Sequence, residues 1–331
     1  MKVLITGGCG YIGKTICHAF ADAGHTCVVI DKAVDAKCDI PNTFFYRGDI
    51  VDFDCLRQVL SDHPDIGVAI HCAELSSVAM SVENPYEYYS INVVKTMEFY
   101  KNLNTLGLKK IIFSSSAAVY DNVPGYMVTE RSPIKPRSPF GRTKYITEMI
   151  LKDFCSAYGM QCITLRYFNP IGADPQTRCG LARSSANIIS RLIRILNCED
   201  STFVISGGNW DTRDGTCVRD YIHVWDVALA NVKAATEFDS AFERAGEEYT
   251  NYLSINIGSG VDVTVKEFIM AFENVTGEKI STRIGERRRG DISGSYASIK
   301  LADKTLGWKP KFALEDAIID AIKWDEKSNG I

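Results

Sequence analysis

Two stretches of this 331-residue sequence bring together side chains able to do chemistry. In one, Ser114, Ser115 and Ser116 follow the apolar run Ile111-Ile112-Phe113. Three hydroxyls therefore stand at the carboxyl end of a predicted buried strand, the edge at which open α/β sheets bind ligands. Further on, Ser138-Pro139-Phe140-Gly141-Arg142-Thr143-Lys144 opens an amphipathic helix. Positions four apart stack on one helix face, so the Phe140 ring and the Lys144 ammonium lie together. Phenylalanine fills space there but can neither give nor accept a proton.

The other stretch is N-terminal. Lys2 to Ile5 reads as a short apolar strand, and Thr6-Gly7-Gly8-Cys9-Gly10-Tyr11-Ile12-Gly13 as a glycine-rich turn. Apolar positions near Ile12, Ile16, Ala19, Phe20 and Ala23 predict a helix that stops at Gly24, and a second strand, Cys27 to Ile30, ends in Asp31. Glycines let backbone approach a pyrophosphate, whose charge sits at the helix N-terminus. Asp31 lies 18 residues after Gly13, where a ribose 2′-hydroxyl is held. A tight turn alone also needs glycine, but strand, helix, second strand and terminal acid together predict dinucleotide binding. Asp31 repels a 2′-phosphate and so favours NAD over NADP, a preference that Lys32 slightly offsets.

The elements that position these groups follow in order. Phe44 to Tyr46 reads as a third strand, and Asp49 as an N-cap candidate for a helix near 52–62. Gly67 to His71 is a fourth strand running into Cys72-Ala73-Glu74, and one long helix starts at Pro85. On it, Met97, Phe99, Tyr100 and Leu103 read as core or dimer-face packing. Alternation of strands and helices through residue 166 predicts an α/β fold with a Rossmann-like, doubly wound parallel sheet. After Cys162 to Arg166 the pattern breaks, and Val218 to Val227 reads as a return to the core. The expected division is a dinucleotide-binding domain of residues 1–169 plus about 220–261. A smaller discontinuous domain, 170–219 plus about 262–331, faces it across a cleft.

A net charge of -4 gives no reason to expect nucleic acid or an anionic membrane as partner. No apolar run approaches the ~20 residues that span a bilayer, and the chain enters a strand at once, with no room for a signal peptide. Eleven cysteines, an odd number without a Cys-x-x-Cys pair, argue against a zinc site or a disulfide framework. Buried thiols in a reducing cytoplasm, and no metal, are the expectation.

The strand-end serine with Phe140-x-x-x-Lys144 resembles the active site of the short-chain dehydrogenase/reductase superfamily, where the helix carries Tyr-x-x-x-Lys. In that superfamily the lysine lowers the phenol's pKa and the serine hydrogen-bonds the substrate oxygen. Here Ser116 and Lys144 match and Phe140 takes the tyrosine's place. Later segments narrow the resemblance: Ser114 to Tyr120, Arg166-Tyr167-Phe168-Asn169, Asp214 to Val224 and Arg287-Arg288-Arg289-Gly290-Asp291 fall in the order seen in UDP-galactose 4-epimerases. The match covers nearly the whole chain. It implies the extended fold, bound NAD, a UDP-sugar substrate, and a homodimer built through helices near 86–106 and 140–158. It also implies cofactor contacts from Gly7, Gly10, Tyr11, Ile12, Gly13, Asp31, Lys32, Asp49, Ile50, Ala73, Glu74, Asn92, Ser114, Lys144 and Tyr167, with Asp49 on the adenine amine. For the substrate it implies Ser116, Phe140, Asn169, Asn187, Val204, Ser206 and Asp291, and Arg219 and Arg288 can each offer a fork of donors to a diphosphate.

Three departures matter. Ser76 replaces a lysine usual in galactose epimerases, and Ser295 stands where a bulky tyrosine narrows their sugar pocket, which leaves volume for an N-acetyl group. Phe140 is the third, because a positioned base contributes about 10²–10⁴-fold to such a step. The chain is therefore expected to bind NAD and a UDP-sugar and to turn over slowly, with Tyr120 or Glu74 as the available substitutes. Phe140 is either an introduced change or the mark of an NAD- and UDP-sugar-binding regulator. A 4,6-dehydratase would need carboxylates where Ala117-Ala118 stand.

Overall fold

Short, near-continuous apolar runs build the centre of the computed structural model, which describes residues 1–33, 39–287 and 290–329. Seven of them pair in parallel: β1 Lys2–Thr6, β2 Thr26–Asp31, β3 Thr43–Arg47, β4 Ile66–His71, β5 Lys110–Ser116, β6 Gln161–Tyr167 and β7 Tyr252–Ile257. Their order across the sheet is β7-β6-β5-β4-β1-β2-β3. Strands this uniformly apolar need cover on both faces, which parallel sheets obtain from crossover helices. On one face Ile16, Phe20, Val227, Ala230 and Phe242 pack against Val3, Ile5 and Ile70. On the other, Leu56, Phe99, Leu103 and Leu151 pack against Leu4, Val28 and Ile111. The strand order reverses between β1 and β4, and a crevice opens at their carboxyl ends.

The helix that carries Phe140 and Lys144 runs Pro139–Tyr158 and has well-marked ends. The Ser138 hydroxyl accepts from Gly141 N at 3.1 Å, Pro139 fills the first turn, and Gly159 closes the helix with φ 63°. The long helix expected from Pro85 runs on to Thr105, with a π-turn set inside it. Pro85–Tyr89 gives way to a π-turn over Ser90–Lys95 and then to Thr96–Thr105. The wider turn brings Asn92 against the segment after β4: its amide donates to Leu75 O and accepts from Leu75 N, both at 2.9 Å. Such π-turns concentrate at functional sites.

The return to the core expected over Val218–Val227 is made by Ile222 and by the helix from Val224, through Val227, Ala228 and Ala230. Val218–Arg219 pairs with Val263–Thr264 and Gly294–Ala297, and Tyr221–His223 pairs with Asn169–Ile171. The buried acid Asp220 separates the two short strands. Its carboxylate accepts from Ser259 N, Ser259 Oγ, Gly260 N and Ala297 N at 2.6–3.0 Å. A separate core of Ile171, Leu192, Phe268, Phe272 and Ile318 lies beneath this region.

One buried ion pair ties β6 to the Lys144 helix. Arg166 Nε and one terminal nitrogen donate to the two Glu148 oxygens at 3.0 and 2.6 Å, and Ser115 donates to Glu148 at 2.6 Å. Both side chains are essentially sealed from water. Removing one partner strands the other charge, so Glu148→Ala is expected to destabilise the fold by about 3–5 kcal/mol, read from denaturant midpoints.

Candidate active site

The glycine turn is shaped by close approach rather than by flexibility alone. Gly7 has φ 71°, and a Cβ there would lie 2.7 Å from the backbone of Ala73 beyond β4. A Cβ on Gly13 would meet Gly7 O at 2.2 Å. The helix Tyr11–Asp22 begins after Gly10 with no side-chain cap among the described residues, and its positive end faces the crevice. Tyr11 itself points across, donating to Gly172 O at 2.8 Å. This cradle fits the pyrophosphate of a dinucleotide by the criterion of where backbone can approach.

Asp31 ends β2 beside the turn. One carboxylate oxygen accepts from Cys9 N and the other from Ala33 N, both at 2.9 Å, which fixes the acid at the lip of the crevice. Asp49 is not the N-cap of the following helix. Asp52 holds that place, accepting from Cys55 N at 3.0 Å. Asp49 instead collects two cations, Lys32 at 2.8 Å and Lys95 at 2.5 Å. Burial pushes its carboxyl up, but the hydrogen bonds from Lys32 and Lys95 outweigh this and hold it down at about 2. The sequence reading missed Lys95, because a lysine on a helix face gives no signal until the π-turn aims it.

At the carboxyl end of β5, Ser116 Oγ accepts from Ala118 N at 3.2 Å and starts a short helical turn. Lys144 is buried and donates to Ser114 O and to the Glu74 carboxylate. Its ammonium lies 4.9 Å from the Phe113 ring centroid and 5.7 Å from that of Phe140. Burial pushes this lysine down to about 7, with the fields of Cys72 and Glu148 opposing. Ser114 Oγ is engaged with Tyr167 OH at 3.2 Å, and Tyr167 donates onward to Asn231 at 2.9 Å. Tyr120 cannot substitute for a missing base. It is buried, donates to Asn256 at 2.7 Å, accepts from Arg166 at 2.8 Å and is pushed up to about 12.

Other expected residues lie on the elements around the cleft. Ile12 and Ala73 pack partly into the core and Ile50 is buried, so any ligand contact from Ile50 is through backbone. Arg219 and Ser295 are register partners, and Asp291 stands 3.6 Å from the Arg219 guanidinium. Asn169 donates to Asp220 O at 3.0 Å, and Asn187 caps the helix Ile188–Leu196. Val204 and Ser206 lie on a strand paired with Thr282–Gly285. Next to it, Gly207, Asn209, Glu286 and Arg287 line an open cleft of about 460 Å³. Arg288 lies outside the described residues.

Among the described residues, His18, Asp174 and Cys179 place ligand-type atoms within 4.8 Å of one another. Asp174 is already paired with Arg178 at 2.5 Å, and burial pushes His18 down to about 4, so this trio reads as an internal polar cluster. No helix among the described residues is long and apolar enough to cross a membrane.

The Asp49 pairs generate a test. A carboxyl held near 2 when folded, against 3.8 ordinarily, stabilises the fold above pH ~4 and loses that contribution as pH falls towards 2. Asp49→Asn is expected to lower stability at pH 7 by about 1 kcal/mol, the scale of a partly exposed pair. In thermal melts its difference from the parent protein narrows as pH drops from 4 to 2.

Comparison with known proteins places the same surfaces in context. The chain is 37% identical over 341 residues to the UDP-glucose 4-epimerase of Yersinia enterocolitica, with 98% of each covered. Among solved structures, the UDP-glucose 4-epimerase of Stenotrophomonas maltophila with bound NAD and formylated UDP-arabinopyranose has TM-score 0.91 and 32% identity. The alignment spans 100% of this chain and 99% of that one. The enzyme from Bifidobacterium longum in complex with NAD+ and UDP gives TM-score 0.90 at 30% identity, with both chains fully covered. The family model described as "NAD dependent epimerase/dehydratase family" matches residues 3–258, and the chain belongs to that family.

Proposed function

We propose that this chain is an NAD-dependent UDP-hexose 4-epimerase working through a 4-keto sugar, slowed by phenylalanine at the acid/base position. The observation that carries the reading is full-length likeness to NAD- and UDP-bound epimerases, together with a crevice whose glycines leave room for a pyrophosphate. Gly7, Gly10 and Gly13 would cradle the cofactor's phosphates, Asp31 and Lys32 its adenosine ribose, and Asp49 its adenine. When bound, NAD would supply hydride acceptor and donor chemistry at the sugar's C4. Ser116 would bind the C4 oxygen, and Lys144 would place positive charge beside the reacting end. Arg219 and Arg288 would hold the diphosphate, Asn169 and Asn187 the sugar-diphosphate portion, and Val204, Ser206 and Asp291 the uridine. The proposed domain division assigns the first set of contacts to residues 1–169 plus about 220–261, and most of the second to the remainder.

Ser295 is a small, buried side chain in register with Arg219. We therefore include UDP-GlcNAc and UDP-GalNAc among the substrates. Turnover of the N-acetylated sugars about 100-fold or more below UDP-glucose, in an otherwise competent enzyme, counts against that extension.

Phe140 is the specific observation favouring a second reading, a binding protein without turnover. Phe140→Tyr separates the two, with an expected gain of about 10²-fold or more in epimerase rate, the scale of one positioned base. No turnover in either form, with NAD and UDP-sugar still bound, establishes the regulator.

A homodimer completes the proposal. Met80, Tyr86, Val94, Met97 and Met149 are exposed apolar side chains on the helices between 78 and 158, with Tyr86 82% and Val94 57% exposed. Clustered apolar surface of this kind marks contact with another protein surface. Val94→Glu is expected to shift the sedimentation coefficient from dimer to monomer.

A further inference from the structure

The loss of a phenol at position 140 leaves the corner around Lys144 with few groups able to exchange a proton. His71 is buried, with its ring nitrogens on Thr6 at 2.7 Å and Thr96 at 3.1 Å. Cys72 is engaged with Ser114 at 3.1 Å, and burial pushes its thiol up to about 11. Tyr167 is committed to Ser114 and Asn231, and Glu148 to Arg166 and Ser115. Tyr120 is sealed against Asn256 and Arg166. Glu74 differs from all of these. Its side chain is 21% exposed at the crevice, while the Lys144 it touches is 2% exposed behind it.

Resting on the epimerase reading, we propose that Glu74 is the acid/base of this chain, backed by the buried Lys144 ammonium. The pair keeps a simple logic: a proton acceptor stands at the cleft, and a buried cation stands behind it. Lys144 donates to Glu74 from behind, in a place where burial pushes the ammonium down to about 7 against the opposing fields of Cys72 and Glu148. The segment bearing Glu74 is held just beyond it. Asn92 clamps Leu75 through two hydrogen bonds, and Tyr88 OH accepts from Ser77 N at 3.1 Å. Those contacts fix where the carboxylate stands.

The step balances without any further reactant. The O–H bond at C4 breaks and its proton passes to the Glu74 carboxylate, directly or through one water, giving the neutral acid. The C4–H bond breaks and its hydrogen leaves with the electron pair to the nicotinamide ring, while the C4–O bond becomes a carbonyl. On return the Glu74 acid gives its proton back to the C4 oxygen, so neither proton nor electrons accumulate.

The experiment compares Glu74→Gln and Glu74→Asp in the chain as it stands and in a Phe140→Tyr background, with UDP-glucose and saturating NAD. In the Phe140 chain, Glu74→Gln is expected to cut kcat by about 10²-fold, Glu74→Asp to recover part of it, and the acid limb of the pH–rate profile to vanish in the glutamine variant. With tyrosine at 140 the glutamine loss is expected to shrink at least tenfold, the non-additivity of two groups sharing one role. Infrared difference spectra on substrate addition supply a readout independent of turnover: a protonated-carboxyl band appears in the Phe140 chain and is absent in Glu74→Gln. Turnover within about threefold of the parent in Glu74→Gln overturns the assignment. A Phe140 chain with no turnover and no carboxyl band, beside an active Phe140→Tyr, also overturns it and leaves the epimerase reading intact. Inactivity of Phe140→Tyr with UDP still bound removes the epimerase reading, and the Glu74 role falls with it.

Discussion

A single ammonium group organises the reactive end of this protein. Lys144 is withdrawn from water, and a buried cation is tolerated only when acceptors and negative charge surround it. Three elements must therefore meet at one point. The Ser114 carbonyl comes from the end of β5, the Glu74 carboxylate from the segment after β4, and the Phe113 and Phe140 rings line the sides. Each is brought there by a separate device: parallel pairing of β4 with β5, the Ser138 cap that starts the helix, and the Asn92 clamp on Leu75. Moving any one of them would leave the charge short of a partner.

The cofactor end obeys a different constraint, which is steric. Gly7 approaches Ala73 so closely that no side chain fits between the two strands at the switch point. The same closeness leaves the first turn of the helix Tyr11–Asp22 open towards the crevice. Electrostatics then refine the surface, with Asp31 anchored by backbone N–H groups and Asp49 neutralised by Lys32 and Lys95. The substrate side is built from shorter and more irregular pieces, and buried polar groups such as Asp220 take over the ordering that long strands perform elsewhere.

Much of the fold was legible because a parallel sheet demands apolar runs, and apolar runs separated by helical periodicity are visible without coordinates. The glycine turn and the acid after the second strand were legible for the same reason, since each answers a local requirement. The long helix expected from Pro85 formed, but its π-turn at Ser90–Lys95 was not legible, because it answers a tertiary contact, Asn92 on Leu75, rather than the helical sequence pattern. Asp49 was open between cap and ligand contact, because an acid a few residues before a helix satisfies both patterns. Only the positions of Lys32 and Lys95 show that its charge is paired with two cations and not spent on the cap.

The sequence by itself determined the sheet, the dinucleotide crevice and the anomaly at position 140, because periodicity, glycine spacing and the identity of one side chain are local properties. Which group stands nearest the lysine was decided by tertiary structure alone. Glu74 and Lys144 are separated by 70 residues, and nothing in either neighbourhood announces the other. Tyr120 and Glu74 were both candidates on paper. Packing buried the first in a closed hydrogen-bond network with Arg166 and left the second at the edge of the cleft. Burial is a property of the folded chain, and it separated an inert phenol from a carboxylate in contact with the site.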